Sequence, residues 1–245
     1  MVPFCENLRG AARRFPRRRA QARLLDAAPQ AAFYATEPQH RETAMQPADH
    51  ALIVIDVQND FCPGGALAVE GGDAVVAPIN AMMEEFAVKV LTQDWHPADH
   101  ASFAANHPGA APFSLTEMPY GPQVLWPTHC VQGSEGAAFH PDLRTDPADL
   151  VIRKGFRAAI DSYSAFFEND RRAPTGLDGY LKARGVTAVT LVGLATDFCV
   201  AYSAIDAATL GYSVSVRMDA CRAIDLEGSL DAAVAQMLDA GVTLA

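Results

Sequence analysis

The sequence predicts an α/β domain, a three-layer α/β/α sandwich with a mostly parallel central sheet. The run ALIVIDV at residues 51–57 is apolar and β-branched, which is typical of a strand buried on both faces. Further apolar runs alternate with segments of helical period along the rest of the chain. Short turns join many of these segments, which implies right-handed crossovers and therefore parallel strands.

The individual elements follow from the same patterns. A long stretch at 94–148 is rich in Pro, Gly and His and has little periodicity, so we expect a functional loop there. The other segments have clear strand or helix patterns, and glycines end two of the helices. The predicted strands lie at 51–57, 88–93, 149–154, 187–194, 213–219 and 242–244, and the predicted helices at 73–86, 177–184, 196–210 and 226–240.

Composition excludes several classes of protein. The chain has 245 residues and a net charge of -10, so it lacks the excess of basic residues on which nucleic-acid binding depends. No segment approaches the roughly 18 unbroken apolar residues of a membrane span. Five scattered cysteines do not form a disulfide pattern and fit a reducing compartment. We expect a cytoplasmic protein with no nucleic-acid or membrane partner.

Residues 1–46 differ from the rest of the chain. They contain eight arginines against four acidic residues and no apolar region long enough for a secretory signal. We expect a basic, disordered N-terminal extension over 1–46 and one folded domain over 47–245. A translation start at Met45 is the alternative.

Reactive or charged residues fall at the ends of four predicted strands, at the sheet edge where parallel α/β folds bind ligands. They are Asp56, Asp94, Lys154 and, after a short turn, Cys199. Asp56 could act as a base for the thiol and Lys154 could pair with it. Taken singly, each has a simpler explanation: a turn cap for Asp56, a solvated strand end for Lys154, and a buried helix cysteine for Cys199.

Cys199 opens the first turn of a predicted helix. The unpaired N–H groups and the positive dipole at a helix start lower the pKa of a thiol and stabilise the thiolate, its reactive form. The same N–H groups can bind the oxyanion of a tetrahedral intermediate.

The motifs DWHPADH and WPTHC contain the metal-ligand types. Asp94, His96 and His100 lie within seven residues and His129 follows later. Imidazole and carboxylate suit zinc, iron or manganese. Histidines satisfied within a polar loop are the alternative, but five of the seven histidines fall between residues 96 and 140, which favours a metal site.

Two aromatic residues lie beside these motifs. Phe61 and Trp126 could stack on a planar aromatic substrate, although core packing explains Phe61 equally well.

Five long motifs run in order from about Ala51 to Tyr202: IVIDVQNDFCPGGALAV, TQDWHPADHASFA, WPTHCVQGSEGA, RKG and GLATDFCV. Together they resemble the nicotinamidase branch of the isochorismatase-like cysteine hydrolases. The resemblance implies that fold for the domain, and hydrolysis of nicotinamide to nicotinate and ammonia in NAD salvage. It also implies action on pyrazinamide, and it leaves a homo-oligomer open.

The resemblance also implies roles for individual residues. Cys199 forms a thioester, Asp56 transfers the proton, and Lys154 holds the aspartate. The implied oxyanion hole consists of the backbone N–H groups of Ala195 and Cys199, after a cis peptide bond. One divalent metal ion, zinc with iron or manganese as alternatives, orients the pyridine ring. Its implied ligands are Asp94, His96 and His129, with His100 as a candidate fourth, and the ring contacts are Phe61, Trp126 and Ala195.

Other functions were weighed against the same residues. A related metal-independent amidase of the N-carbamoyl type would not need DWHPADH and WPTHC. Isochorismatase itself is disfavoured by Cys199, and a non-catalytic ligand-binding member by the complete set of Asp56, Lys154 and Cys199. A thiol redox protein would be expected to carry C-x-x-C, which this sequence lacks.

Overall fold

A computed structural model describes residues 45–245 of the protein. The expected extension lies outside these residues except for its last two, and the boundary at residue 47 stays a prediction. Within the described part, none of the α-helices is long and apolar enough to cross a membrane. The strands are β1 (His50–Ile55), β2 (Val88–Asp94), β3 (Leu115–Met118), β4 (Gly121–Val124), β5 (Leu150–Lys154), β6 (Ala188–Leu194), β7 (Ser213–Arg222) and β8 (Thr243–Leu244), and the α-helices are α1 (Val76–Met82), α2 (Leu177–Ala183), α3 (Ala201–Thr209) and α4 (Ser229–Asp239).

Six strands form one sheet in the order β5-β2-β1-β6-β7-β8, and every neighbouring pair is parallel. Successive residues of β1 point to opposite faces, so Ile53 joins one buried cluster and Val54 joins the other. The first cluster includes residues of α2, α3 and α4, and the second includes residues of α1. The predicted three-layer α/β/α fold is confirmed.

Three elements differ from the sequence prediction. The predicted helix at 73–86 is α1 alone, with a 3-10 turn on either side. The predicted helix at 196–210 begins as a π-helical turn, Thr196–Val200, before α3. The long loop at 94–148 contains the antiparallel hairpin of β3 and β4.

Gly193 allows β6 to lie directly against β1 where the site begins. Its φ is 115°, and a Cβ there would lie 2.1 Å from the carbonyl oxygen of Ile55. The pairing of β6 with β7 is irregular at the same point, between Leu191 and Gly193. Only glycine combines this φ with such a close backbone approach. As a result, Asp56 at the end of β1 lies beside the turn that follows β6.

Candidate active site

The carboxyl ends of three adjacent strands bring the predicted charged residues together. Asp56 follows β1, and Asp94 and Lys154 are paired across β2 and β5. The Lys154 ammonium lies 2.8 Å from Asp56 Oδ2, 2.5 Å from Asp94 Oδ1 and 3.3 Å from Cys199 Sγ. The carbonyl oxygen of Ser162 accepts a further hydrogen bond from it at 3.0 Å. One buried cation thus contacts both carboxylates and the thiol.

The electrostatics of this cluster are dominated by burial and by Lys154. Burial opposes the ammonium charge, but Asp56 and Asp94 raise the pKa of Lys154 well above its usual value, so it is protonated. Burial raises the pKa of the Asp56 carboxyl to about 6, although Lys154 works in the opposite direction. Asp56 is therefore ionised at neutral pH yet close to the range in which a carboxylate accepts a proton readily.

The pKa of Cys199 is raised, opposite to the lowering expected from the start of a helix. Burial raises the pKa of Cys199 well above its usual value, and Asp56 and Asp94 add to this, while Lys154 works against it. The main reason is that Cys199 lies inside the molecule, 7% exposed, where burial disfavours the charged thiolate. The thiol is therefore neutral at rest.

Thr92 fixes the orientation of the Asp56 carboxylate. Asp56 leaves β1 in the left-handed region, with φ of 47°. The Thr92 hydroxyl, on β2, donates to Asp56 Oδ1 at 2.6 Å and accepts the backbone N–H of Asp56 at 3.1 Å. This leaves Oδ2 facing Lys154.

Asp94, His96 and His129 form a group that could hold a metal ion, with donor atoms all within 4.8 Å of one another. Each imidazole Nδ1 lies near a backbone carbonyl, that of Gly155 at 2.8 Å for His96 and that of Pro127 at 2.7 Å for His129. These contacts fix the tautomers and leave both Nε2 lone pairs free. The Nε2 atoms lie 3.5 and 3.9 Å from Asp94 Oδ2, which is too long for good hydrogen bonds. This donor set fits a divalent ion.

His100 belongs to a different group, with His96 and Asp161. Its Nδ1 lies 2.7 Å from the Ser102 hydroxyl and its Nε2 lies 3.2 Å from the carbonyl oxygen of Ile160. Both ring nitrogens therefore have protein partners, and a role as fourth ligand stays a prediction.

A small, mostly apolar pocket lies against Cys199 and the metal-ligand group; its space of about 340 Å³ includes part of the open solvent at its mouth. Phe61, Trp126 and Ala195 are in its lining, where the sequence placed the substrate contacts. Sequence reasoning missed five further lining residues, Leu67, Asp161, Tyr163, Phe198 and Ile224. Of these five, only Phe198 lies in the motif GLATDFCV, where it directly precedes Cys199.

The unpredicted hairpin supports one wall of this pocket. Gln123, on β4, donates through Nε2 to the Tyr163 hydroxyl at 2.8 Å and to Asp161 Oδ2 at 2.9 Å. The Trp126 indole N–H also donates to the Tyr163 hydroxyl, at 3.1 Å. These bonds hold aromatic and acidic side chains together beside the pocket.

The turn that carries the nucleophile has the backbone form implied by the resemblance. The Leu194–Ala195 peptide bond is cis. The carbonyl oxygen of Ala195 accepts the N–H groups of Phe198 and Val200, both at 3.1 Å. Ala195 and Cys199 are thus at opposite ends of one turn, and their service as an oxyanion hole stays a prediction.

Residues 50–245 match the family of isochorismatase domains. The chain belongs to the isochorismatase family. It is 56% identical over 202 residues to a nicotinamidase of Acinetobacter baylyi, covering 82% of this chain and 94% of that one. Among solved structures, PnC1 of L. infantum in complex with nicotinate has a TM-score of 0.72 and 40% identity, covering 82% of this chain and 94% of the other. A pyrazinamidase of Pyrococcus horikoshii in complex with zinc has a TM-score of 0.65 and 34% identity, covering 80% of this chain and 98% of the other.

Proposed function

We propose that this member of the isochorismatase family is a nicotinamidase, which hydrolyses nicotinamide to nicotinate and ammonia. One observation carries the proposal. Cys199 lines an aromatic pocket, contacts Lys154 at 3.3 Å, and has a carboxylate oxygen of Asp56 within 4.8 Å of its sulfur. A candidate nucleophile at the wall of an aromatic pocket therefore has a candidate base and a cation directly behind it.

The first half of the reaction forms a thioester. Asp56 accepts the proton of the neutral Cys199 thiol as the sulfur attacks the carboxamide carbon. Lys154 stabilises the negative charge that passes between thiolate and carboxylate. The backbone N–H groups of Ala195 and Cys199 bind the resulting oxyanion. Asp56 then returns the proton to the amide nitrogen, the C–N bond breaks, and ammonia leaves.

The second half of the reaction uses the same groups with water. Asp56 removes a proton from a water molecule that attacks the thioester carbon. The C–S bond breaks, the sulfur regains a proton, and nicotinate is released. The raised pKa of Asp56, about 6, suits a group that must both accept and donate a proton.

Asp94, His96 and His129 would hold one divalent ion, for which we propose zinc, with iron or manganese as alternatives. When bound, the ion supplies positive charge that attracts the pyridine nitrogen and so fixes the orientation of the ring. Phe61 and Trp126 would contact the faces or edges of that ring. Burial and the neighbouring His96 lower the pKa of His129 to about 4, which favours the neutral form. Burial opposes charge on His96 as well, but Asp94 raises the pKa of His96, so metal binding would displace a proton from that imidazole.

The proposal extends to pyrazinamide as a second substrate. Pyrazinamide presents the same carboxamide on a ring of the same size. A role in NAD salvage, a cytoplasmic location and a homo-oligomeric state are part of the proposal too, and they rest on the family resemblance.

The test is ammonia release by the purified protein from nicotinamide, pyrazinamide and an N-carbamoyl amino acid, each with and without added zinc. We expect the highest kcat/KM with nicotinamide. Release from the carbamoyl compound alone would contradict the proposal and favour the related amidase.

A further inference from the structure

Asp197 lies in the motif that carries the nucleophile, yet the proposed reaction does not use it. It is in the turn Thr196–Val200 and is 4% exposed. Its carboxylate accepts the backbone N–H of Ile224 at 3.0 Å and of Asp225 at 2.8 Å, and the hydroxyl of Ser229. No Lys, Arg or His in residues 45–245 is within ion-pair distance of it. All three partners lie instead in the segment between β7 and the start of α4.

Asp197 accepts two backbone N–H groups of that segment, which is also held by a bond from the Ser229 N–H to the Leu226 carbonyl and by packing of Ile224 and Leu226 against the second buried cluster. The segment follows β7 as an irregular connection in which Asp225 and Glu227 have φ values of 53° and 51°. Hydrogen bonds from backbone N–H groups to a carboxylate are among the stronger ones in proteins. Without the carboxylate, two N–H groups would lose their partner, which is costly in a half-buried location. Asp197 therefore stabilises the conformation of the segment at the residue that lines the pocket, Ile224.

The segment contributes Ile224 to the lining of the pocket. Most of the other lining residues are aromatic side chains or metal-ligand candidates. Ile224 and Leu67 are the two aliphatic side chains in that lining. A branched aliphatic wall limits the space for substituents on a bound ring. The carboxylate that accepts the Ile224 N–H belongs to Asp197, two residues before Cys199. The turn that contains Cys199 is therefore also hydrogen-bonded to the segment that contains Ile224.

We infer that Asp197 is a positioning residue that holds Ile224 against the substrate ring and thereby excludes ring-substituted amides. The inference rests on the proposed function for its kinetic consequence, although its structural part does not. Asp197 touches neither substrate nor reacting atoms and acts through the 224–229 segment.

The structural part is tested by backbone hydrogen exchange, measured by mass spectrometry on the full chain. In Asp197→Asn, the substituted amide offers one acceptor fewer, so the peptide covering residues 223–229 should exchange faster than in wild type. Exchange in β2 should stay unchanged. Unchanged exchange at 223–229 would overturn the inference whether or not the protein hydrolyses nicotinamide.

The kinetic part compares nicotinamide with 5-methylnicotinamide as substrates. One methyl group in an apolar pocket is worth about 10-fold or more in kcat/KM, so Asp197→Asn and Ile224→Ala should each reduce the preference for nicotinamide by roughly that factor. KM for nicotinamide should rise more than kcat falls. The double variant should lose no more preference than either single variant, because both act on one contact.

Two variants guard against a general loss of structure. Ser229→Ala removes one of the three bonds and should have a smaller effect. Asp206→Asn makes the same chemical change at another buried aspartate, which pairs with Arg171 and not with the 224–229 segment, and should keep the preference. Additive losses in the double variant, or an equal loss in Asp206→Asn, would contradict the inference. If the wild-type protein hydrolyses neither nicotinamide nor 5-methylnicotinamide, the proposed function is contradicted, and the hydrogen-exchange result still decides the structural role of Asp197.

Discussion

Lys154 supplies the positive charge that offsets the buried carboxylates of the site. Two buried carboxylates would repel one another, and removing one partner of a buried ion pair typically costs about 3–5 kcal/mol. The ammonium lies within 3.3 Å of both carboxylates and of the Cys199 sulfur. It also links the base Asp56 to the metal-ligand candidate Asp94. The proposed nucleophile and the proposed metal site are therefore parts of one charge cluster.

The pH dependence of the reaction follows from Asp56. Only the carboxylate form can take the proton of the thiol, and burial raises the pKa of this carboxyl to about 6. The kcat/KM for nicotinamide should be constant near neutrality and fall about tenfold per pH unit well below pH 6. Since the pKa of Cys199 is also raised, no increase from thiolate formation is expected near pH 7.

The measurement is a kcat/KM profile over roughly pH 4.5–8.5 with metal added throughout. Asp56→Asn is the control, because it keeps the shape of the side chain but cannot act as a base. A wild-type profile with no acid limb, or an Asn variant of near-normal activity, would remove Asp56 from the role proposed for it.

At the scale of elements, the sequence was informative where a single pattern covered a whole strand or helix. The five longer strands of the main sheet were found to within three residues at each end. The hairpin of β3 and β4 was not predicted, because Gly121 and Pro122 are residues more typical of turns than of strands. Its position also depends on a hydrogen bond from Gln123 to Asp161, which is distant in the sequence. The π-helical start at Thr196 likewise depends on packing rather than on periodicity.

Gly193 gives an element-scale prediction, since a residue with a side chain at the end of β6 would collide with the end of β1. Gly193→Ala would place a Cβ 2.1 Å from the Ile55 carbonyl oxygen at a φ of 115°. We expect the free energy of unfolding to fall by roughly 3 kcal/mol, measured by urea denaturation.

Gly179, in α2, is the matched control. A Cβ there meets nothing within 4 Å, and alanine is the better helix former, so Gly179→Ala should stabilise by up to about 1 kcal/mol. Equal effects of the two substitutions would contradict the role assigned to Gly193.

At the scale of the whole molecule, the site is assembled from residues between Asp56 and Ile224. Sequence reasoning could find those that follow strands, because parallel strands end at one edge of the sheet. It could not find Asp161, Tyr163 or Ile224, because their segments have no period and their side chains are placed only by tertiary contacts. The same limit produced the error about the Cys199 pKa, since helix position is local and burial is not.

Metal content gives a prediction for the molecule as a whole. The purified protein should bind one divalent ion per chain, and chelation should lower kcat/KM for nicotinamide by at least about tenfold, with recovery on adding zinc. His129→Ala should weaken metal binding, as measured by elemental analysis after dialysis. His140→Ala, in the same long segment but lining a different groove, should not. Equal metal content in the two variants would contradict the proposed ligand set.

The most direct test of the central claim is the intact mass of the protein, acid-quenched during turnover of nicotinamide. We predict that a fraction of wild-type chains gains one nicotinoyl group at Cys199, with loss of ammonia, and that Cys199→Ala gains none and releases no ammonia. Ammonia release by Cys199→Ala at a rate near that of wild type would contradict the claim, because hydrolysis would then proceed without the thioester.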